Sequence, residues 1–186
     1  DPKGEIERLL ASVAAQPERT HVIGAYALGK AQRVIRLIRE AGHDAPIYLH
    51  GAQEKLCAYY AGEGIDLGEL RKALDRDKAE FRGHIVIAPP SALRDRWSRR
   101  LADPVVCQAS GWMTIRQRAK QSGVELPLVI SDHADWNELT ATIGATGAET
   151  VWVTHGREEA LVHWCRQRGL KAEPLYMQGR EEDAGE

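Results

Sequence analysis

Short apolar runs alternate with amphipathic stretches along the whole chain. The runs have the length of buried strands, and the stretches between them repeat apolar residues at the spacing of a helix. Strands that alternate with helices in this way form a parallel sheet, so the pattern predicts an α/β fold. The predicted strands are residues 20–28, 46–50, 84–88, 104–108, 128–130, 151–153 and 172–177, and the predicted helices include 6–15, 29–41, 53–61, 68–81, 92–101 and 157–168.

Two of the predicted strands lead into segments that carry a histidine. His133 follows the strand at 128–130, and His155 follows the strand at 151–153. In open parallel sheets, ligands bind at the carboxyl ends of the strands, which is where both histidines are expected. Two neutral imidazoles there could hold a metal ion, transfer a proton, or do one of each. Loop histidines that are hydrogen-bonded to the backbone would explain the same spacing.

Between these two strands, the sequence has the signature of a helix start. Asp135 lies three residues before Glu138, which is the spacing of a capping box, and Leu139 and Ile143 supply an apolar face. We therefore predict a strand–helix–strand unit in which Asp135 caps the helix, in preference to a role for Asp135 as a metal ligand.

Charge is unevenly distributed, although the formal net charge of the chain is only −2. Residues 91–120 are strongly basic, with only Asp95 and Asp103 as acidic residues, and this predicts a phosphate-binding face. A solvated helix surface is the alternative. Residues 178–186 form an acidic end that we predict to be disordered. The basic residues of the segment are Arg94, Arg96, Arg99, Arg100, Arg116, Arg118 and Lys120.

Several protein classes do not fit the sequence. No apolar run approaches the ~20 residues that a membrane helix needs, and the first residues are not a signal peptide. The three cysteines are widely spaced and lie in apolar surroundings, as reduced core residues do. We expect a cytoplasmic protein that does not bind membranes.

A phosphate-binding loop is a further possibility at residues 24–31. These residues fit G-x-x-x-x-G-K, but Ala31 occupies the position where that motif needs Ser or Thr to hold magnesium. The residues between the glycines are apolar and strand-like. A P-loop nucleotide hydrolase therefore stays a remote alternative. A phosphate could instead face the start of the helix that begins at Gly29.

The segments SDHADW and VTHG, which carry the two histidines, resemble the last two signature motifs of β-CASP nucleases in the metallo-β-lactamase superfamily. Further similarity lies in GAYALGKAQRV, in IAPPSA and in ASGWM, in the same order as in the family. The chain is most similar to the bacterial ligase-associated DNA exonucleases, which are often described as mRNA 3′-end processing factors.

This resemblance implies a domain organisation. Residues 1–125 would form a Rossmann-like β-CASP domain that is incomplete at its N-terminus. Residues 126–177 would supply the closing strands and helix of the metallo-β-lactamase domain, followed by the acidic tail. The H-x-H-x-D-H motif that provides most metal ligands in the family is absent from this sequence. The chain is therefore expected to be the C-terminal half of a nuclease and inactive alone.

The chemistry implied by the resemblance is phosphodiester hydrolysis with two Zn²⁺ or Mn²⁺ ions in the complete protein. His155 would bind one metal ion, and His133 would contact the transition state or donate a proton to the leaving oxygen. The expected substrate is single-stranded DNA or DNA ends, with RNA also possible. An ATP-dependent DNA ligase and a helicase are expected as partners.

The basic segment and the motifs also predict which residues contact nucleic acid, although packed or solvated side chains are the alternative for each. A non-catalytic nucleic-acid-binding or scaffolding module is the second functional hypothesis for the chain. The predicted contact residues are Lys30, Arg33, Arg99, Arg100, Ser110, Trp112 and Arg116.

Overall fold

The computed structural model describes residues 1–177, and the chain divides into two units, Asp1–His133 and Ala134–Glu186. The predicted disordered tail at 178–186 lies outside the described residues. The division falls after His133, eight residues beyond the boundary at 125 that the sequence predicts. The assignment of the two parts to β-CASP and metallo-β-lactamase domains stays a prediction.

The first unit is built on a six-stranded sheet in which every neighbouring pair is parallel. The strand order is β3-β2-β4-β1-β5-β6, so β1 is central and β4 and β5 flank it. This confirms the predicted α/β fold with a parallel sheet. The strands are β1 (His21–Gly24), β2 (Ile47–Leu49), β3 (Leu70–Lys72), β4 (Ile85–Ala88), β5 (Val105–Ala109) and β6 (Leu126–Leu128).

Both faces of this sheet are covered, because successive strand residues point to opposite sides. Ile23 of β1 packs into a core with the first three helices, whereas its neighbour Val22 packs on the other face. That other face is covered by short 3₁₀ turns and by the fourth helix. The helices are α1 (Pro2–Ala15), α2 (Lys30–Glu40), α3 (Gly51–Gly62) and α4 (Arg116–Gln121), and the 3₁₀ turns are Lys78–Phe81, Pro90–Arg94, Arg96–Arg100 and Gly111–Thr114.

The prediction of a helix at 68–81 was wrong. Strand β3 occupies its first part and pairs with β2, and the chain then turns at Asp75, whose φ of 58° is incompatible with a helix interior. The apolar spacing was also misleading, since Ala73 is buried but Leu74 is exposed.

The prediction of a single helix at 92–101 was also wrong, because two 3₁₀ turns occupy these residues. Asp95 separates them with an extended backbone and accepts a hydrogen bond from the amide of Arg96. A 3₁₀ turn repeats every three residues, so Arg96 and Arg99 lie on the same side of the second turn.

Strand β6 is displaced by two residues from the predicted strand at 128–130. The amide of Ile130 donates to the carbonyl of Leu128 at 2.9 Å, so the chain turns out of the ladder there. Helix α1 holds this exit, because the Glu5 carboxylate accepts from the Val129 amide at 3.2 Å and Arg8 donates to the Pro127 carbonyl. The residues that lead to His133 are therefore a fixed loop.

The second unit contains a parallel strand pair with a helix between the strands and another helix before them. The predicted last strand at 172–177 is shorter and ends in a 3₁₀ turn, Leu175–Met177. No helix in the described part of the chain is long and apolar enough to cross a membrane. The elements are α5 (Trp136–Thr146), β7 (Thr150–Val153), α6 (Glu158–Gln167) and β8 (Lys171–Pro174).

Candidate functional site at the carboxyl edge of the sheet

The carboxyl ends of β1, β5 and β6 bring three loops to one edge of the first unit. The order β1-β5-β6 places the loop after β5 next to the loop after β6. The two loops touch, because a Cβ added to Gly111 would lie 3.1 Å from the Ser131 hydroxyl oxygen. The glycine therefore allows a close approach here. This edge is where parallel sheets bind ligands.

The loop after β6 is held by cations from the start of α2. The Lys30 ammonium donates to the carbonyl of Ile130 at 2.9 Å and lies 3.3 Å from Oδ2 of Asp132. Arg33, one turn along α2, donates to Oδ1 of Asp132 at 3.1 Å and to the carbonyl of Ser131. Both carboxylate oxygens of Asp132 are therefore paired.

This pairing corrects the role predicted for Lys30. The residue is 4% exposed and its ammonium is engaged within the protein, so it does not present a charge to a phosphate. Arg33 is 44% exposed, and only its Nη1 is bonded to the Asp132 loop. Lys30 is therefore not a free phosphate-binding cation, whereas contact of Arg33 with nucleic acid stays a prediction.

His133 ends the same loop, and its imidazole is exposed. Its backbone amide donates to the Ser131 hydroxyl at 3.1 Å, which closes a tight local turn. The backbone of His133 is thus fixed while its side chain faces solvent. A histidine in this setting can exchange a proton with a bound group.

The P-loop alternative does not fit the start of α2. Three amides that a phosphate would need already have partners: Gly29 donates to the Gln32 side chain at 2.8 Å, Lys30 to the carbonyl of Leu28, and Ala31 to the carbonyl of Tyr26. The same hydrogen bonds correct the idea that this helix start could face a phosphate.

The basic surface comprises two segments that follow the strands on either side of β1. Residues 90–100 follow β4, residues 111–120 follow β5, and both cover the same face of the sheet. With a strand spacing of ~4.8 Å, the ends of β4 and β5 are about 10 Å apart. Apart from Arg118, these residues make no ion pair or ring contact within residues 1–177. The basic surface consists of Arg94, Arg96, Arg99, Arg100, Arg116, Arg118 and Lys120, all exposed.

Trp112 stands on this surface at the end of β5. The Ser110 hydroxyl accepts from the Trp112 amide at 3.2 Å and starts a 3₁₀ turn, which buries Met113 and leaves Trp112 58% exposed. The guanidinium of Arg118 lies 3.8 Å from the centre of a Trp112 ring. The guanidinium covers one face of this exposed ring, and a nucleobase can stack on the other face.

In the second unit, His155 has an uncommon backbone conformation. Its φ is 68°, a left-handed value that few residues other than glycine adopt. The Glu158 carboxylate accepts from the His155 amide at 3.1 Å, and the Thr154 hydroxyl lies 3.3 Å from Nδ1 of the ring. These contacts hold the turn while the residue stays exposed.

Asp135 caps α5, as the sequence spacing predicts. Its carboxylate accepts from the Glu138 amide at 2.9 Å, and the Glu138 carboxylate accepts from the Asp135 amide at the same distance. The capping box therefore occupies the carboxylate that the alternative hypothesis would give to a metal ion.

The residues that the structure describes do not form a complete metal site. No group of three or more His, Cys, Asp or Glu residues within 1–177 is arranged to hold an ion. His155 is a suitable donor for zinc, but zinc sites need three or four protein ligands. Residues 1–177 alone therefore do not supply the ligand set that a zinc ion at His155 would need.

Two contacts of this edge could not be predicted from the sequence, that of Asp132 with Lys30 and that of Arg118 with Trp112. Asp132 was visible as an acidic residue beside His133, but its partner Lys30 is 102 positions away. Arg118 lies six positions after Trp112, a spacing that is meaningful only once the 3₁₀ turn and α4 are known.

Comparisons with known proteins give one clear similarity. No model of a known protein family matches the sequence. A protein of Opitutus terrae named "Probable DNA ligase" is 29% identical to this chain over 151 residues. The match covers 81% of this chain but only 14% of that protein, so the chain is similar to a small part of a much longer relative.

Proposed function

We propose that this chain is part of a metal-dependent nuclease that hydrolyses DNA phosphodiesters. In this proposal the first unit is the β-CASP domain and binds the substrate at the carboxyl edge of its sheet. The second unit contributes to the metallo-β-lactamase domain and to the metal site. The complete protein acts in DNA repair alongside an ATP-dependent ligase and a helicase.

One observation carries the proposal. A histidine with a fixed backbone and an exposed ring, His133, lies at the same sheet edge as an exposed tryptophan and a basic surface whose residues form no ion pair within residues 1–177. Cations attract the phosphate backbone, and an imidazole beside them can act on a leaving oxygen. The similarity to a protein named as a DNA ligase supports DNA as the nucleic acid.

The roles proposed for the histidines differ. His133 donates a proton to the leaving oxygen of the cleaved phosphodiester. His155 is a ligand to one of two Zn²⁺ or Mn²⁺ ions, whose other ligands come from outside this chain. Such ions activate water and neutralise phosphate oxygens. Asp135 shapes the site only by fixing the start of α5.

The proposed role of His155 predicts a change in metal content. His155→Ala in the complete protein should reduce the bound metal from two equivalents to about one, because the loss of a ligand strongly weakens the binding of its ion. Metal analysis of the purified protein measures this directly. His163→Ala, which removes an exposed histidine of α6, is the matched control and should retain both ions. Two equivalents in His155→Ala would contradict the assignment.

The basic surface predicts salt-sensitive binding of single-stranded DNA by this chain. The affinity should fall as the salt concentration rises. A plot of the logarithm of the binding constant against the logarithm of the salt concentration should fall with a slope of about 0.7 per phosphate contact. Arg99→Glu/Arg100→Glu should weaken binding by about tenfold or more and reduce that slope. Fluorescence anisotropy with a labelled oligonucleotide at several salt concentrations tests both expectations.

The control for this experiment is Lys78→Glu/Arg82→Glu. It makes the same change in net charge, but these residues precede β4 and so lie at the opposite edge of the sheet. It should leave the affinity within about twofold at moderate salt, where distant charges are screened. Equal weakening by both pairs would show that net charge, not the basic surface, drives binding. RNA of the same sequence, used as a competitor, distinguishes the two substrates.

A non-catalytic nucleic-acid-binding or scaffolding module is the second candidate function. It is favoured by the fact that the basic surface and Trp112 are complete within the first unit, whereas cleavage needs ligands from elsewhere. Metal-dependent cleavage by the complete protein would decide for the nuclease. DNA binding without cleavage would decide for the module.

A further inference from the structure

Lys30 is unusual among the cations of the first unit because its ammonium group is buried. Taking a charge out of water is costly unless the protein supplies partners. The partners here are the carbonyl of Ile130 at 2.9 Å and the carboxylate of Asp132 at 3.3 Å. Both belong to the loop that leads directly to His133. The cost of burying this charge is therefore offset at one place, the loop after β6.

Helix α2 makes several hydrogen bonds to this short loop. Arg33 binds the second carboxylate oxygen of Asp132 and the carbonyl of Ser131. Two cations of α2 thus engage the side chain of Asp132 and two consecutive carbonyls, Ile130 and Ser131. The loop has left the sheet by then, since the ladder ends at Leu128. Helix α2 replaces the hydrogen bonds that the sheet no longer provides.

We propose that Lys30 and Asp132 form a clamp that positions His133 for proton donation. This inference rests on the nuclease function proposed above. Lys30 is a positioning residue that does not touch DNA. The clamp fixes the backbone immediately before His133, and the Ser131 hydroxyl fixes its amide. A catalytic group must be held close to its productive geometry, and a displacement of ~1 Å can cost about 10²-fold in rate.

The test uses Lys30→Met and Asp132→Asn in the complete protein. Each substitution removes one charge of the pair and keeps the approximate size of the side chain. We expect kcat to fall about 10- to 100-fold while KM for DNA changes by less than about threefold, because binding does not use the clamp. The double variant should be no slower than Lys30→Met alone, because the two residues act as one unit.

A second measurement does not depend on activity. Hydrogen–deuterium exchange of the peptide at 129–134 should become faster in both variants, with no change in the strands of the sheet. Arg36→Met is the matched control, because Arg36 lies on the same helix but pairs with Glu40 at 3.0 Å. It should leave both kcat and the exchange of this peptide unchanged.

Two results would overturn the clamp: unchanged exchange at 129–134 in both variants, or losses that multiply in the double variant. If the wild-type protein does not cleave DNA, the nuclease proposal fails, and exchange still decides whether the clamp holds the loop. Because the Asp132 side chain is 37% exposed, Asp132→Asn is the variant that keeps the test decisive if Lys30→Met does not fold.

Discussion

Replacing His133 by alanine in the complete protein is expected to slow phosphodiester cleavage by ~10²–10⁴, which is the usual contribution of a general acid or base. Metal content and DNA affinity should stay unchanged, because the role proposed for His133 is proton donation and its imidazole is exposed at the end of the loop after β6. Single-turnover kinetics on a short DNA substrate measures the chemical step directly.

Substrates with different leaving groups test whether His133 acts as the proton donor. A proton donor matters most when the leaving oxygen is basic. A substrate with a leaving group of low pKa should therefore recover most of the rate in His133→Ala. His163→Ala serves as a control for the general effect of losing a surface histidine. Equal slowing with good and poor leaving groups would contradict proton donation by His133.

The alternation of strands and helices could be predicted from the sequence because burial imposes it. Strands β1, β4 and β5 are covered on both faces, so each is a nearly continuous apolar run. The long amphipathic helix α2 was equally clear. The failures at 68–81 and 92–101 occurred where sequence spacing alone was the guide. There, pairing with β2 and the capping by Asp95 determined the structure instead.

The candidate site was only partly predictable, and the reason is the distance along the chain between its parts. His133 could be found because it follows a strand, and Trp112 because it follows another. Lys30 was predicted to contact nucleic acid together with Arg33, because helical spacing alone does not show what a face touches. Its carboxylate partner, Asp132, lies in the loop after β6, and only the strand order brings α2 and that loop together.

The burial of His21 predicts that the folded protein is less stable in acid. The residue is fully buried at the start of β1, and burial, with the positive charge of Arg19 as a smaller cause, lowers its pKa from 6.5 to about 4. Its Nε2 is 2.8 Å from the Ser12 hydroxyl, and its buried Nδ1 has no hydrogen-bond partner within residues 1–177. The folded state therefore favours the neutral imidazole over the protonated one.

The sign of the effect follows from the two pKa values. The unfolded chain takes up this proton near pH 6.5, whereas the folded protein takes it up only near pH 4, so protonation favours unfolding between these values. The contribution of His21 is complete above pH 6.5 and should decline by about 3 kcal/mol as the pH falls to 4. His21→Gln removes the titrating group, so its free energy of unfolding should fall less steeply over this window.

Urea unfolding at pH 7 and at pH 4 measures this difference in the wild type and in His21→Gln. The comparison isolates His21 because other groups titrate equally in both proteins, including His43 and His50, whose pKa values are also lowered by burial. His163→Gln, at an exposed position, is the control for the loss of a histidine. If the variant is too unstable for unfolding studies, NMR titration of the wild-type ring gives the pKa of His21 directly. A value near 6.5, or the same acid loss in His21→Gln, would show that burial of this ring does not set the acid stability of the first unit.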